Sequence, residues 1–343
     1  MERTPKKKGF RHGLNPEKII LDGFAFARTR VLITAIDLDL FTHISNGKKA
    51  PSELAQITGA HMRPLVILLN ALCAMEYLQK KGGLYELTPL SRFFLVKNKR
   101  MYFGNFLKHI DLSWGPWFKL IEVVSSGKPS FPVGTESKDG FEYYKQLVPL
   151  LFNTSYLVAV TVAKALGIGK EQRGLKIIDV GTGSGAWGIA MAQENGTSQI
   201  YGVDDPKVLE QTQKHVGHLG LEKQFHYIPA NIEEDSLGED EYDLAVLGYV
   251  FHAEGEKKSR EILSKIYQCL KMGGRIIICE FCPDENREKN LFPLLFGVQM
   301  LIHTTDGNTF SISEYTSWLY DAGFKKVETI DIPATSSVIV ATK

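Results

Sequence analysis

The stretch with the most legible chemistry is Ile177-Ile178-Asp179-Val180-Gly181-Thr182-Gly183-Ser184-Gly185-Ala186-Trp187-Gly188. An apolar run predicts a strand, the glycines a sharp turn, and the residues from about Ala186 to Gln193 a helix. Gly181, Gly183 and Gly185 carry no Cβ, so the backbone can turn tightly and approach a ligand closely. The helix behind them presents unpaired N–H groups to a polar or anionic group. Gln199-Ile200-Tyr201-Gly202-Val203-Asp204 then predicts a second strand ending on an acid. An acid roughly 20 residues beyond such glycines is where a ribose diol is hydrogen-bonded in doubly wound folds.

Two nucleotide chemistries compete for this pattern. Dinucleotide sites favour Gly-x-Gly-x-x-Gly, with room for a pyrophosphate. Here Gly181, Gly183 and Gly185 alternate, and Asp179 stands two residues before the first of them. A carboxylate repels a pyrophosphate and attracts the ammonium of a methionine moiety. The expected cofactor is therefore S-adenosylmethionine rather than a nicotinamide dinucleotide.

The rest of the chain frames that site. With 343 residues and 44% hydrophobic content it can bury two cores, and its net charge of +1 offers no global field for nucleic acid or membrane. Four cysteines, Cys73, Cys269, Cys279 and Cys282, form no disulfide framework and suit a reducing cytosol. Cys279-x-x-Cys282 lacks the second pair or nearby histidine that a zinc site needs, so no metal is expected. Arg3, Lys6, Lys7, Lys8 and Arg11 make residues 1–13 a basic tail rather than a targeting segment. The apolar run 291–302 is too short to span a bilayer, and no internal repeat is evident. A soluble, cytoplasmic protein is the expectation.

Residues 17–41 show apolar positions at helical spacing. Pro51 and Ser52 open a short helix, a second runs over 62–75, and 77–79 with 84–87 flank the turn Lys80-Lys81-Gly82-Gly83. Helix, turn, helix, hairpin is a winged-helix pattern, which raises DNA binding. A recognition helix presents cations and amides to base edges. The helix over 62–75 offers Arg63 and Asn70 among leucines, so it reads as buried on more than one side, in a module for dimerisation. Residues 100–170 are aromatic and helical apart from a break at 127–132. Most of those aromatics belong to a core. Phe152 and Tyr156, one turn apart, are selected as candidate substrate-lining residues.

Beyond Asp204, helices are expected at 208–219, 256–270 and 313–322, and strands at 225–229, 242–247, 276–280, 326–332 and 337–342. This alternation predicts an α/β fold, a mostly parallel, doubly wound Rossmann-like sheet covered on both faces, with ligands at the carboxyl ends of its strands.

With these residues in place, the chain resembles the caffeate-type small-molecule O-methyltransferases, class I and S-adenosylmethionine-dependent, including bacterial natural-product members. The resemblance runs from Leu38-Asp39-Leu40-Phe41, Ser52-Glu53-Leu54-Ala55 and Tyr85-Glu86-Leu87-Thr88-Pro89 through the glycine loop. It continues through Val250-Phe251-His252, Lys271-Met272-Gly273-Gly274-Arg275 and Asp321-Ala322-Gly323-Phe324. It implies a mainly α winged-helix dimerisation domain over 1–105 and a methyltransferase domain over 106–343, divided into an acceptor-lining segment 106–170 and a Rossmann-like core 171–343. It implies His252 as catalytic base and Glu280 as its flanking acid. Asp204, Asp205, Asn231 and Ile232 then fall at cofactor contacts, and Met300 and His303 on the helix covering the acceptor. The chemistry agrees, because a phenol near pKa 10 is a poor nucleophile until an imidazole of about 6.5 removes its proton.

The chain also departs from the family. Ala253-Glu254 replace an Asp-Trp pair, Thr309 stands in place of a second acid flanking the histidine, and Gly248 replaces a lysine near the adenine. The reading is a homodimeric O-methyltransferase acting on a small aromatic or polyketide-like acceptor. N- or C-methylation, or a non-methylating use of the cofactor, is the alternative within enzymes. A winged-helix regulator sensing S-adenosylmethionine is the alternative outside them, disfavoured by the cation-poor helix and near-zero charge. A scaffold without turnover is disfavoured by the glycine loop, Asp204 and His252 together.

Overall fold

The computed structural model describes residues 15–133, 137–170 and 173–343, so the basic tail at 1–13 lies outside the described residues. Contacts divide the chain into a unit ending at Asp111 and a unit beginning at Leu112.

The first unit holds α1 (Glu17–Gly23), α2 (Ala25–Asp37), α3 (Leu40–Ser45), α4 (Pro51–Thr58), α5 (Met62–Ala74), β1 (Leu78–Lys81), β2 (Leu84–Leu87), α6 (Pro89–Phe94) and α7 (Gly104–Asp111). The segment 17–41, expected as one helical stretch, is broken at Phe24 and again at Asp39, which adopts a left-handed φ of 53°. Pro51 opens α4, and Glu53 Oε2 accepts the N–H groups of Ala50 and Lys49 at 3.1 and 3.2 Å. Gly82 and Gly83 take positive φ between the antiparallel strands β1 and β2, as the turn requires. In α5 only one face is buried, that of Leu65, Leu69 and Leu72, whereas Ile67 is exposed. The expectation of burial on more than one side is not met within this unit. Asn70, the amide offered to base edges in the DNA reading, accepts a hydrogen bond from Tyr85 at 2.8 Å.

The second unit starts with α8 (Trp114–Phe118), α9 (Leu120–Ser126) and α10 (Lys138–Ala165). Then come β3 (Lys176–Val180), α11 (Ala186–Glu194), β4 (Gln199–Asp204), α12 (Pro206–His218), β5 (Phe225–Pro229), β6 (Tyr242–Gly248) and α13 (Phe251–Cys269). The unit closes with β7 (Leu270–Glu280), α14 (Leu291–His303), α15 (Ile312–Asp321), β8 (Lys325–Ile330) and β9 (Ser337–Thr342). The sheet order is β5-β4-β3-β6-β7-β9-β8, parallel through β7, with β9 antiparallel to both neighbours. The order in which successive strands are added reverses between β3 and β6, and the crevice at that point is where ligands bind in such folds. Ile177, Ile178, Val246 and Ile277 are fully buried, because helices cover both faces.

Two local departures shape the site. Strand β7 begins at Leu270 rather than 276, and the register jumps from Tyr242↔Leu270 to Leu244↔Arg275, so Lys271 to Gly274 bulge out around Gly273 with φ 77°. Gly255 in α13 has φ 74° and ψ 173°, which separates a single turn carrying His252 from the long helix expected over 256–270. Helix α10 has 28 residues and is long and apolar enough to cross a membrane by length and composition. Its Ala159, Val162 and Ala163 pack instead against Ile189 and Ala190 of α11.

Candidate active site

The glycine loop is held by its neighbours rather than by its own turn alone. Gly181, Gly183 and Gly185 have φ of 66°, 52° and 78°, a region L-residues rarely enter. The N–H groups of Gly181 and Thr182 both donate to the Val203 carbonyl, at 3.0 and 3.1 Å. Asp204 Oδ2 accepts from the Gly183 N–H at 2.8 Å, and its Oδ1 from the Asp205 N–H at 2.8 Å. From α12, the Thr212 hydroxyl donates to the Gly183 carbonyl, and His215 Nδ1 stands 2.8 Å from the Ser184 carbonyl. A Cβ on Gly185 would come within 2.9 Å of Thr212, and one on Gly181 within 2.8 Å of Val250. One on Gly183 would meet nothing nearer than 3.8 Å, so that face of the loop lies open.

Asp179 is 1% exposed and binds through Oδ2 to the Thr182 hydroxyl (2.8 Å) and the Gly188 N–H (2.9 Å). Burial pushes the carboxyls of both Asp179 and Asp204 up to about 6. Gly188 also completes the spacing Gly183-x-Gly185-x-x-Gly188, so glycine spacing alone did not separate the two nucleotide chemistries. Its own role is packing, since a Cβ there would lie 2.7 Å from Ile200 and 2.9 Å from Asp179.

The remaining cofactor candidates follow the ends of β4 and β5. Asp205 caps α12, accepting the Lys207 N–H at 2.8 Å. Asn231 is exposed, and its Oδ1 accepts from the Glu233 N–H at 3.0 Å. Ile232 packs against the core behind β6. Lys265 gathers the carbonyls of Ile232, Glu233 and Asp235 at 3.2, 2.6 and 3.1 Å, holding this loop in one shape.

The turn after β6 delivers His252. Its Nδ1 lies 2.9 Å from Glu280 Oε2, and its backbone N–H reaches Oε1 at 3.4 Å. Glu280, at the end of β7, is 1% exposed. The carboxylate can only accept, so Nδ1–H donates to it and Nε2 is left as the nitrogen free to accept a proton. Phe296 of α14 sets its edge against the His252 ring, with centroids 4.9 Å apart, and Phe281 and Phe292 complete an aromatic wall. Burial, and then Glu233 beside it, push the Glu254 carboxyl up to about 7. Thr309 is buried, and its hydroxyl donates to the Pro293 carbonyl at 3.2 Å.

The acceptor candidates separate into two groups. Phe152 stacks on Tyr156 and leans on His215 of α12, and the Tyr156 hydroxyl bonds Gln193 of α11, so this pair faces the glycine-loop helices. Met300 and His303 are buried on α14, one and two turns beyond Phe296.

Sequence reasoning missed Trp187 and Tyr249. Trp187 is 4% exposed, and its indole N–H has no partner among the described residues. It lies over Gly248 so closely that a Cβ there would sit 1.9 Å from Nε1. Gly248 thus makes room for Trp187, and the signal for this was the glycine itself. Tyr249 has a left-handed φ of 65°, bonds Ser336 at 2.6 Å and stacks on Phe281. Burial drives the Cys279 and Cys282 thiols up to about 12, which makes them inert.

The crevice fits S-adenosylmethionine: an open glycine face, the half-buried Asp204 for hydroxyls beside it, the buried Asp179 for a cation, and an unpaired indole donor. The model of the O-methyltransferase domain matches residues 124–325, and that of the O-methyltransferase dimerisation domain matches 21–97. The 3-hydroxy-5-methyl-1-naphthoate 3-O-methyltransferase of Streptomyces sahachiroi is 28% identical over 322 residues, covering 92% of each chain. The tetracenomycin polyketide synthesis 8-O-methyl transferase TcmO of Streptomyces glaucescens is 25% identical, covering 97% of this chain and 98% of its own. Human N-acetylserotonin methyltransferase, solved with S-adenosylmethionine, shares the fold with a TM-score of 0.81 at 22% identity, over 97% of this chain and 99% of that one.

Proposed function

The chain belongs to the O-methyltransferase family, and from that premise we propose that it methylates a hydroxyl of a small aromatic or polyketide-like molecule, with His252 as the base. It is an S-adenosylmethionine-dependent methyltransferase. The observation that carries the finer reading is the His252–Glu280 pair at 2.9 Å under an aromatic wall.

When bound, the cofactor supplies an electrophilic methyl on a sulfonium. The chain's own residues do the rest. Asp204 would hold the ribose hydroxyls, and Asp179 would set the negative potential for the methionine ammonium. Asp205 fixes the start of α12, and Asn231 with Ile232 shapes the adenine side. Glu280 keeps His252 in the tautomer with Nε2 unprotonated, and Nε2 takes the acceptor's proton as the oxygen becomes a nucleophile. Phe281, Phe292 and Phe296 present ring surface to a flat acceptor and exclude water from the base. The naphthoate and polyketide acceptors named for its relatives suit such a wall. The unit containing α1 and α2 would pair two copies, in keeping with its dimerisation match.

Calorimetric titration of S-adenosylmethionine into wild type and Asp204→Ala, followed by turnover of hydroxynaphthoates by wild type and His252→Ala, tests this reading. Binding lost in the first variant and turnover lost in the second support it. Turnover largely kept by His252→Ala removes base catalysis by this residue.

A further inference from the structure

His303 ends α14 two turns beyond Phe296, the residue in contact with the base. Phe296, Met300 and His303 follow at spacings of four and three, which places them along one helix face. The distance from Phe296 to His303 along the axis is about 10 Å at ~1.5 Å per residue. His303 is 4% exposed, with its ring stacked on Tyr143 and edge-on to Phe131.

The protonation state of this ring follows from its partner. Nδ1 lies 3.0 Å from the Phe131 carbonyl, which can only accept, so Nδ1 carries the proton. Burial lowers the affinity of the ring for a second proton, and the imidazole is neutral. Nε2 therefore carries a lone pair, and it has no hydrogen-bond partner among the described residues. A buried acceptor left unpaired is costly, and a ligand donor that satisfies it gains accordingly.

We propose that His303 Nε2 accepts a hydrogen bond from the far end of the acceptor molecule, so that the enzyme selects rigid aromatics bearing a second hydroxyl or N–H about one bicyclic length from the hydroxyl that is methylated. This rests on the reading of His252 as the reactive end of the site. Phe281, Phe292 and Phe296 grip the ring system at one end, and His303 reads its other end.

The test compares 2-naphthol with 2,6-dihydroxynaphthalene, each titrated calorimetrically into full-length protein saturated with S-adenosylhomocysteine. The diol is expected to bind wild type about tenfold tighter, the worth of one buried hydrogen bond. In His303→Phe, which keeps an aromatic ring against Tyr143, the ratio of the two affinities should fall toward one. Nitrogen NMR of the wild-type imidazoles provides a second reading that needs no variant: the diol, and not 2-naphthol, should move the His303 Nε2 resonance. Equal affinities in wild type, a preference that survives His303→Phe, an unmoved resonance, or no binding of either probe overturns the proposal. A histidine satisfied by buried water would give equal affinities. Failure of S-adenosylmethionine itself to bind would instead overturn the methyltransfer reading on which this rests.

Discussion

Nδ1 of His252 stands 2.9 Å from Oε2 of Glu280, a carboxylate that is 1% exposed at the end of the adjacent parallel strand. The pair joins two points 28 residues apart in the chain, and its geometry leaves Nε2 as the ring nitrogen that Glu280 does not engage.

Glu280→Gln should separate orientation from binding. An amide can still meet Nδ1, but it can present its NH2 group to the ring and does not stabilise the imidazolium. We expect kcat to fall roughly tenfold to a hundredfold with the calorimetric affinity for S-adenosylmethionine preserved. His252→Ala should lose about 10² to 10⁴ in kcat, the usual range for a general base. Equal kcat in wild type and Glu280→Gln would sink the orienting role.

Asp179 and Asp204 should give opposite pH responses with and without ligand. Their carboxyls sit at about 6 in the folded chain, above the ordinary value of 3.8. Between these values the folded state holds more protons than the unfolded one, so unliganded stability should fall as pH rises from about 4 to 6 and level off above. Affinity for S-adenosylmethionine should instead rise over the approach to 6 and then plateau, because the ionised acids are the better partners for an ammonium and ribose hydroxyls. Thermal melts and titrations across this window check both slopes, and Asp204→Asn should flatten each.

Gly248→Ala should be far more harmful than its size implies. The new Cβ would fall 1.9 Å from Trp187 Nε1, so the indole must leave its place beside the glycine loop. A loss of about 1 to 3 kcal/mol in stability is expected, together with weaker cofactor binding. Trp187→Ala combined with Gly248→Ala should recover part of the loss, and additive costs in denaturant melts would refute the coupling.

Ile20→Asp with Phe24→Asp should dissociate the proposed homodimer. Ile20 is 55% exposed and Phe24 63% exposed in the single chain, an apolar surface suited to a second copy. Sedimentation at micromolar concentration should show monomer for the variant and dimer for wild type. A wild-type monomer would refute the assembly.

Much of the cofactor half was legible because its signals are local. Strands 225–229 and 337–342 match the structure, and in the second Val338 to Ala341 are buried, as a short apolar run bounded by turns implies. Errors came where tertiary pairing overrides local pattern. Lys271-Met272-Gly273-Gly274-Arg275 reads as a plain turn, yet Leu270 pairs with Tyr242 and the glycines become a bulge within β7. The break at Asp39 carries no glycine or proline to announce it.

The sequence by itself determined the α/β alternation, the glycine loop, the acid at the end of β4 and the histidine after β6, because each is encoded by neighbours within a few residues. Family membership was legible for the same reason, through short motifs in order along the chain. Tertiary structure alone decided which partners these residues meet. It placed Phe152 and Tyr156 against α11 and α12, committed the Thr309 hydroxyl to Pro293, and fitted Trp187 over Gly248. It also set the proton on His303 Nδ1, through a carbonyl 172 residues away in the chain. Contacts of that separation follow from packing two elements together, and no local pattern of residues records the distance between them.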